Sequence, residues 1–577
     1  MQLLFNKIQE GIRWLGIVFF LVLWLMESLS LAAYSPPTGI PAPPFGIDEI
    51  SYDWNSHCPN WPYKENSIKK GSTFDCYYID NENPKATDNN NLFGYPEKPR
   101  KTLPEGVLSA GAYIEVHGGI TEPYLANGDR FDWSGVGSKE NYILISGKNA
   151  KAPPKLAEMV HIGAKGKTSY LIFENFEIQT EKYALEVRPG VDGKNLDHIS
   201  VRNCIMHGNG KFKSAQSFVA TSYPSTPNAS VSYVVFYNNE SFDAGDWNAI
   251  DEDDTSSFHM GDNAHYVWVL NNIAYRSGGD GASGAHGANR NSDHYYIGRN
   301  IFYNHRENAI DIKEINHVII SENVCFDFKS INSANGEAIV VHYGKHDLGP
   351  NEVWLINNKI FNSDIGIQVN TTKGKAYILS NIIYNTKKYA ILAYNMQSVD
   401  IINNTIVKYN TGIKLDRIAN NDSYSVYGNI IGYRNFDAGY EVFVPSNAKN
   451  VKMDYNLFYN PNSKVAIGWN SLKQNTLASI EMYFDVCQHC FESDPQLVDF
   501  NSFYLSPESP CRNKNIEHQD YNLFQQYYGI NIKRDFYHTS RPQGSAWDIG
   551  AIEFNSNNNV KSGSHPKPPK NLEATRS

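Results

Sequence analysis

An asparagine followed by a short apolar run recurs along most of the chain, at intervals of 23 to 36 residues. Repeats of this length indicate a solenoid of stacked units. Each unit has room for two or three short strands separated by turns of Asn, Gly and Asp, which is too little for a helix pair. We therefore predict an all-β fold, a right-handed parallel β-helix of about ten or more coils. The asparagines of the repeat are Asn175, Asn203, Asn239, Asn272, Asn300, Asn323, Asn358, Asn381, Asn404, Asn429 and Asn456.

The recurring asparagine suggests two mechanical roles. Asn tolerates the left-handed backbone that sharp turns between strands require. Side-chain amides stacked from coil to coil can also hydrogen-bond along the stack. We expect the repeat asparagines to do both, forming one ladder along the β-helix.

The N-terminal segment has the pattern of a secretory signal peptide. Lys7 and Arg13 precede an apolar run over 14–26, and Ser30-Leu31-Ala32 offers small residues for cleavage after Ala32. A retained membrane anchor is the alternative interpretation. We expect a protein that is secreted, periplasmic or at the cell surface, with no stable membrane insertion after signal cleavage.

The remaining boundaries follow from changes in pattern. Few regular signals precede residue 95, and the end of the chain is polar and rich in Pro and Lys. The expected domains are a signal peptide (1–32), a loop-rich N-terminal cap (33–94), a β-helix catalytic domain (95–554) and a disordered tail or linker (555–577).

Composition and charge exclude several function classes. Lys and Arg number 51 against 61 Asp and Glu, a formal charge of −10, which argues against a protein that binds nucleic acid or anionic membranes. With 41% hydrophobic and 19% charged residues, the chain is globular rather than disordered. We expect a monomer.

An exported chain can form disulfides, and seven cysteines are present. Cys58 and Cys76 make the most plausible pair. Cys487-x-x-Cys490 with Cys511 fits a disulfide and a leftover thiol, with a zinc site as the less favoured alternative because no fourth ligand is evident. Two more, Cys204 and Cys325, follow repeat asparagines and are predicted to be small buried hydrophobes.

A polar stripe is predicted on the outside of the middle coils. If Ile310 and Ile312 enter the core, Asp311 and Lys313 face outward, because strand residues alternate faces. The run 248–251 matches 308–311 in sequence, which places Asp251 and Asp253 on the same stripe two coils below. In the coil above, Val340 and His342 face outward. Gln368 and Asn370, Leu392 and Tyr394, and Lys414 and Asp416 continue the stripe.

Charge is concentrated on this stripe. Crowded carboxylates repel one another, and a bound cation relieves the repulsion. Oxygen ligands without thiolates favour calcium. The alternative is an ordinary solvated face, since Asp and Asn are common turn formers. The charged residues expected here are Asp251, Asp253, Asp254, Asp280, His286, Arg290, Glu307, Asp311, Lys313 and His342.

From about residue 95 to 554 the sequence resembles the right-handed parallel β-helix proteins, many of which are polysaccharide lyases and glycoside hydrolases. The segments that carry the resemblance are 96–100 with 113–119 as the lead-in to the first coil, and 548–554 as a closing strand. The resemblance implies a carbohydrate-active fold and does not name a substrate.

A narrower stretch is similar to the family 9 pectate lyases. Their Asp-Gly motif, followed one coil later by a run of acids, matches Asp280-Gly281 and Glu307-Asn308-Ala309-Ile310-Asp311. The similarity implies Asp280, Glu307, Asn308 and Asp311 as calcium ligands, although two of these positions depart from the family's Asp. The family's catalytic Lys corresponds to the stretch 341–345, where His342 is best in register and Lys345 is close.

These observations favour an enzyme that acts on an acidic polysaccharide. We predict a polysaccharide lyase that cleaves a uronate-containing glycan by calcium-assisted β-elimination. The predicted catalytic residues are His342, Lys313 and Lys345. A glycoside hydrolase with paired carboxylates, drawn from Asp251, Asp253, Asp280 and Asp311, is the leading alternative. A non-catalytic carbohydrate-binding surface protein is a third hypothesis. The predicted substrate-binding residues are Asp251, Asp253, His286 and Arg290.

Overall fold

Parallel strands stacked coil upon coil form the body of the chain, which confirms the predicted parallel β-helix. The chain divides into two compact units, 1–36 and 37–577, and the second contains the β-helix. The predicted signal peptide and residues 557–577 of the predicted tail lie outside the described residues. The computed structural model describes residues 34–58, 75–149, 152–180, 183–208, 216–222, 228–248, 250–251, 253–284, 291–344, 349–371, 374–435, 439–470, 472–474, 476–484 and 486–556.

Each coil contributes one strand to each of three parallel sheets. The first sheet contains Cys76–Asp80, Tyr113–His117, Ile143–Gly147, Thr168–Glu174, Leu196–Arg202, Val231–Tyr237, Ala264–Leu270, Asp293–Gly298, Asn316–Ser321, Glu352–Ile356, Lys375–Leu379, Ser398–Ile402, Ser423–Tyr427 and Val451–Asp454. The second contains Gly106–Leu108, Arg130–Val136, Met159–Ile162, Leu185–Val187, Gln216–Ala220, Ser256–Met260, Asp280–Gly284, Ile310–Lys313, Glu337–His342, Ile365–Asn370, Val442–Val444 and Ile467–Trp469, with Leu472–Gln474 antiparallel at its end.

Apart from two long strands, the third sheet is built from strands of two or three residues. Two long strands, Ile382–Tyr394 and Thr405–Asp416, bend from the third sheet into the second. The other strands of the third sheet are Lys155–Leu156, Glu177–Gln179, Ile205–His207, Glu240–Phe242, Ile273–Tyr275, Ile301–Tyr303, Val324–Phe326, Lys359–Phe361, Ile430–Gly432, Leu457–Tyr459 and Phe491–Glu492.

The first coil starts earlier than the sequence suggested. Strand Cys76–Asp80 pairs in parallel with Tyr113–His117, so part of the segment expected as a loop-rich cap (33–94) already belongs to the β-helix. A disulfide joins Cys58 to Cys76, as predicted.

An amide ladder runs through nine coils, from Asn239 to Asn456. Each side-chain Nδ2 donates to the Oδ1 of the next asparagine at 2.9–3.1 Å, as between Asn239 and Asn272. Asn175 and Asn203 were wrongly placed in this ladder. They lie one residue earlier in their coils, where Phe176 and Cys204 take the ladder position, and both are left-handed.

The expected left-handed conformation of the ladder asparagines is also wrong. The left-handed residue is the one before each ladder position, for example Asn271 before Asn272 (φ 57°). The two roles assigned to one residue are therefore divided between neighbours, because a ladder amide must point into the stack while the residue before it turns the chain.

The interior of the coils is aliphatic and aromatic. Inward residues such as Ile310, Ile312 and Val341 are fully buried, and each contributes about 1.5–3 kcal/mol by leaving water. Cys204 and Cys325 are buried free thiols, as predicted. Cys487 and Cys490 form a disulfide and Cys511 is a buried free thiol, so this part of the chain holds no zinc site.

Two segments run along the outside of the first sheet. The N-terminal segment passes from Thr38, bonded to Glu322, to Tyr52, which donates to the Tyr142 carbonyl. A C-terminal helix, Gln519–Tyr528, packs Phe524 on Trp354. The other helices are Trp54–His57, Leu477–Phe484 and the 3₁₀ turn Ala448–Asn450. Among the described residues, no helix is long and apolar enough to span a membrane.

The predicted closing strand at 548–554 is not a strand. This segment crosses the outside of the coils, where the Gly550 N–H donates to the Gly428 carbonyl at 2.8 Å and the Ala551 N–H to Thr405 Oγ1 at 3.0 Å. Ile549 and Ala551 are buried. The apolar alternation that resembled a strand therefore serves packing against the outer surface.

Candidate active site

Three carboxylates converge on the second sheet where two neighbouring strands begin. Asp280 opens the strand Asp280–Gly284, Asp311 is the second residue of Ile310–Lys313, and Glu307 lies in the turn before it. Carboxylate oxygens of the three residues all lie within 4.8 Å of one another. The structure thus brings together three of the four residues predicted as metal ligands.

Backbone contacts between the two coils hold this cluster. The Gly281 N–H donates to the Asn308 carbonyl at 2.9 Å. A Cβ at Gly281 would meet the Ala309 carbonyl oxygen at 2.6 Å, so the close approach of the coils requires glycine. The Asn308 backbone and side-chain N–H groups donate to Asp280 Oδ1 at 3.3 and 3.2 Å. The fourth predicted ligand therefore also lies in the cluster.

The cluster is not a solvated face. Asp280 is 6% exposed and Asp311 only 1%, and Asn308 is also buried. Buried acids are costly unless they are paired or serve a function. Their burial disfavours the interpretation of these residues as ordinary surface turn formers.

Asp311 is held between two basic groups. Lys313 forms an ion pair with Asp311 Oδ2, and His342 Nε2 lies 2.9 Å from Asp311 Oδ1. Lys313 and His342 are register partners on adjacent strands, as the sequence predicted. An acid, an amine and an imidazole thus meet on the outer side of two coils.

The carboxyl groups of the cluster differ in acidity. Burial raises the pKa of Asp280 well above its ordinary value, and the charges of Glu307 and Asp311 raise it further. Burial would also raise the pKa of Asp311, but Lys313 and the hydrogen bond from His342 outweigh it and lower that pKa. The cluster therefore combines a carboxyl that favours its proton with one that stays ionised.

Lys313 does not have the lowered pKa that a lysine base needs. Burial would lower its pKa, but the charges of Asp311 and Asp280 outweigh burial and raise it. The ammonium group therefore favours its charged form, which suits the binding of a substrate carboxylate.

The register below the cluster differs from the predicted one. Phe258 pairs with Ala282 and Ala282 with Ile310, so the residue two coils below Asp311 is His259. Asp251 is exposed in the preceding connection. Asp253 is buried there, where its carboxylate accepts from Thr255 Oγ1 and the Asp246 N–H. The repeated Asn-Ala-Ile-Asp run was misleading because Asp311 lies in a strand, whereas Asp251 lies in a connection between strands.

The correct register reveals two residues that the sequence analysis missed. Ser283 lies directly below Asp311, and His259 directly below Ser283. His259 Nδ1 is 2.8 Å from Ser283 Oγ, which is itself 2.6 Å from Ser256 Oγ. A sequence alignment of the coils that places Phe258 and Ala282 in the column of Ile310 puts His259 and Ser283 in the column of Asp311.

Above the cluster the predicted stripe is confirmed. Val340 pairs with Gln368 and His342 with Asn370, and the column continues to Lys414. Three other predicted site residues, His286, Arg290 and Lys345, lie outside the described residues.

The oxygen donors fit a calcium ion. Calcium binds oxygens at about 2.3–2.6 Å, so ligands on opposite sides of one ion lie about 5 Å apart, which matches the spacing of the three carboxylates. Asn308 Oδ1 is buried and has no hydrogen-bond partner within the described part of the chain. A cation would also relieve the repulsion that raises the pKa of Asp280. The residues that would hold it are Asp280, Glu307, Asn308 and Asp311.

No protein-family model and no curated protein matches this chain. Three solved structures illustrate what it is similar to. The A-module of mannuronan C-5 epimerase AlgE6 from Azotobacter vinelandii is 13% identical over 68% of this chain and 92% of the module, with a TM-score of 0.40. Pectate lyase Pel9A is 13% identical over 83% and 96%, with a TM-score of 0.32.

The third is a mannuronic acid specific polysaccharide family 6 lyase from human gut microbiota. It is 12% identical over 62% of this chain and 82% of that one, with a TM-score of 0.34. At such identities and TM-scores the three structures do not assign a reaction to this chain. What this chain does has to come from the geometry of its own site.

Proposed function

We propose that this protein is an exported polysaccharide lyase that cleaves a uronate-containing glycan by calcium-assisted β-elimination. The observation that carries the proposal is one cluster in which three carboxylates, an imidazole and an ammonium group meet. Elimination from a uronate requires neutralisation of its carboxylate, a base for the proton at C5 and a proton for the leaving oxygen at C4. The cluster offers groups for these tasks.

His342 is the base in this proposal. Asp311 is ionised, so its carboxylate can only accept hydrogen bonds. His342 Nε2 therefore carries the hydrogen and donates it to Asp311 Oδ1, 2.9 Å away. In the neutral ring, Nδ1 then has the free electron pair and takes the proton from C5. Asp311 stabilises the imidazolium that results. The same imidazolium supplies the proton that the leaving oxygen needs.

Lys313 has an electrostatic role. Its ammonium group is paired with Asp311 and lies on the strand adjacent to that of His342. There it can bind the uronate carboxylate and stabilise the negative charge that develops as C5 loses its proton. When bound by Asp280, Glu307, Asn308 and Asp311, calcium supplies Lewis-acid neutralisation of the uronate carboxylate.

Ultraviolet absorbance during incubation with pectate, alginate and glycosaminoglycans tests the proposal, because elimination creates an absorbing C4–C5 double bond. We expect absorbance to rise with one of these glycans in calcium and to stop rising when a chelator is added. His342→Gln and Asp311→Asn should each lower the rate at least about 100-fold. His207→Gln is the matched control, a half-buried histidine on the third sheet paired with Glu177, and should keep full activity.

A paired-carboxylate hydrolase is the second candidate. It is favoured by the proximity of two carboxyls in different surroundings, Asp280 beside other acids and Asp311 held by Lys313 and His342, since hydrolysis requires one carboxyl that keeps its proton and one that is ionised. New reducing ends without ultraviolet absorbance, unaffected by chelator, would select it over the lyase. Absence of both signals on all these glycans would contradict both enzymes.

A further inference from the structure

A cavity lies on the first sheet, away from the carboxylate cluster on the second sheet. Its volume is about 660 Å³, within the range of about 300–1,000 Å³ that small-molecule sites occupy. One wall is the N-terminal segment at Pro41 and Pro44, and the opposite wall is the end of the helix Gln519–Tyr528. The cavity is therefore an open cleft flanked by two segments that both cross the outside of the β-helix.

The floor of the cavity is a row of stacked rings. Tyr233 and Tyr266 stack with centroids 5.0 Å apart, Tyr266 and His294 at 4.2 Å, and His294 and His317 at 4.9 Å. Rings stacked face to face present their edges outward. The row therefore offers phenol hydroxyls and imidazole nitrogens at the spacing of successive coils, with aromatic carbon between them.

The far wall adds an exposed ring and a carboxylate. Tyr527 is 52% exposed at the end of its helix. Glu352 Oε1 accepts from the Tyr528 hydroxyl at 2.8 Å and from Trp354 Nε1 at 2.6 Å, which fixes the carboxylate beside the cavity. Among the described residues that line the cavity there is no lysine or arginine.

We propose that this cavity is a second carbohydrate-binding site, specific for a neutral oligosaccharide. The exposed ring of Tyr527 suits the apolar C–H face of a sugar, while the hydroxyls and ring nitrogens along the row and the fixed Glu352 carboxylate suit its hydroxyl groups. A uronate is disfavoured because the described part of the lining offers the Glu352 carboxylate and no lysine or arginine. The site would hold a neutral glycan on one sheet while another sheet carries the carboxylate cluster.

Calorimetric titration of the purified protein with cello-, xylo-, manno- and galacto-oligosaccharides tests this inference. We expect one of the four to bind, and Tyr527→Ala and Tyr266→Ala each to weaken that binding at least tenfold. Tyr527→Phe should retain binding because the ring remains. Tyr455→Ala, at a partly exposed tyrosine outside the lining, is the matched control and should bind as the wild type does.

Two results would overturn the inference. One is failure of all four probes to bind the wild-type protein. The other is binding that Tyr527→Ala and Tyr266→Ala leave unchanged while both variants melt like the wild type. Oligogalacturonate and alginate oligomers should bind the Tyr527→Ala protein as they bind the wild type, since the proposed site for uronates is the carboxylate cluster. They should bind the Asp311→Asn protein more weakly. Because glycan cleavage is not the readout, failure here leaves the lyase proposal untouched.

Discussion

Removing one amide from the asparagine ladder should destabilise the protein strongly. Asn358 is fully buried and makes four side-chain hydrogen bonds. Its Oδ1 accepts the backbone and side-chain N–H groups of Asn323, both at 3.0 Å, and its Nδ2 donates to the Ile320 carbonyl at 2.9 Å and to Asn381 Oδ1 at 3.0 Å. At about 1 kcal/mol net for each bond, Asn358→Ala should cost about 4 kcal/mol.

Thermal unfolding followed by circular dichroism measures this cost. With about 2 cal/mol/K of unfolding entropy per residue, a chain of this length should melt about 4 °C lower. Asn522→Ala is the matched control, because Asn522 is exposed on a helix and its side chain donates to exposed Glu517; it should stay within about 0.5 kcal/mol of the wild type. Equal melting temperatures for the two variants would refute the ladder as a source of stability.

Four further outcomes are expected. Asp280→Asn should raise the melting temperature in chelator, since the neutral amide removes the cost of keeping a buried acid beside Glu307 and Asp311; it should also abolish any stabilisation by calcium, and a loss of stability in chelator would contradict the crowding described for the cluster. Gly281→Ala should cost about 1–3 kcal/mol by urea unfolding, because its Cβ would overlap the Ala309 carbonyl oxygen; a neutral effect would mean that the coils are not so close. Burial lowers the pKa of His161 from 6.5 to about 4. The stability that comes from its neutral form is therefore present above pH 6.5 and is lost as the pH falls towards 4, by about 3 kcal/mol in all. The His161→Gln protein should lose less stability over that interval, and a pH dependence identical to that of the wild type would disprove the role of His161. Lys313→Met should lower the rate of glycan cleavage at least about tenfold and should also lower the melting temperature, because it leaves buried Asp311 with His342 as its remaining basic partner; a fully active variant would remove Lys313 from the mechanism.

The fold could be predicted from the sequence because the repeat is periodic. A ladder asparagine at a fixed place in each coil, with apolar residues after it, leaves few architectures other than stacked parallel strands. The local details were harder. Asn203 and Asn239 look alike in sequence, yet Asn203 turns the chain and Asn239 belongs to the ladder, because a shift of one residue exchanges these roles.

The candidate site could be predicted only where the register was certain. Asp311, Lys313 and His342 were found because Ile310 and Ile312 fix which residues face outward. Asp251 was misplaced because the connections between coils vary in length, and sequence similarity alone does not count coils. Burial of the outward acids was also beyond the sequence, since it depends on how neighbouring turns cover them.

Mass spectrometry of the products tests the central claim most directly. The substrate for this test is the glycan that gives rising ultraviolet absorbance with the wild-type protein in calcium. Elimination at the cluster of Asp280, Glu307 and Asp311 predicts fragments whose new non-reducing end is an unsaturated uronate, lighter by one water than a hydrolysis product. The same fragments should be absent with His342→Gln. Fully hydrated fragments, or unsaturated fragments that His342→Gln still produces, would contradict the account.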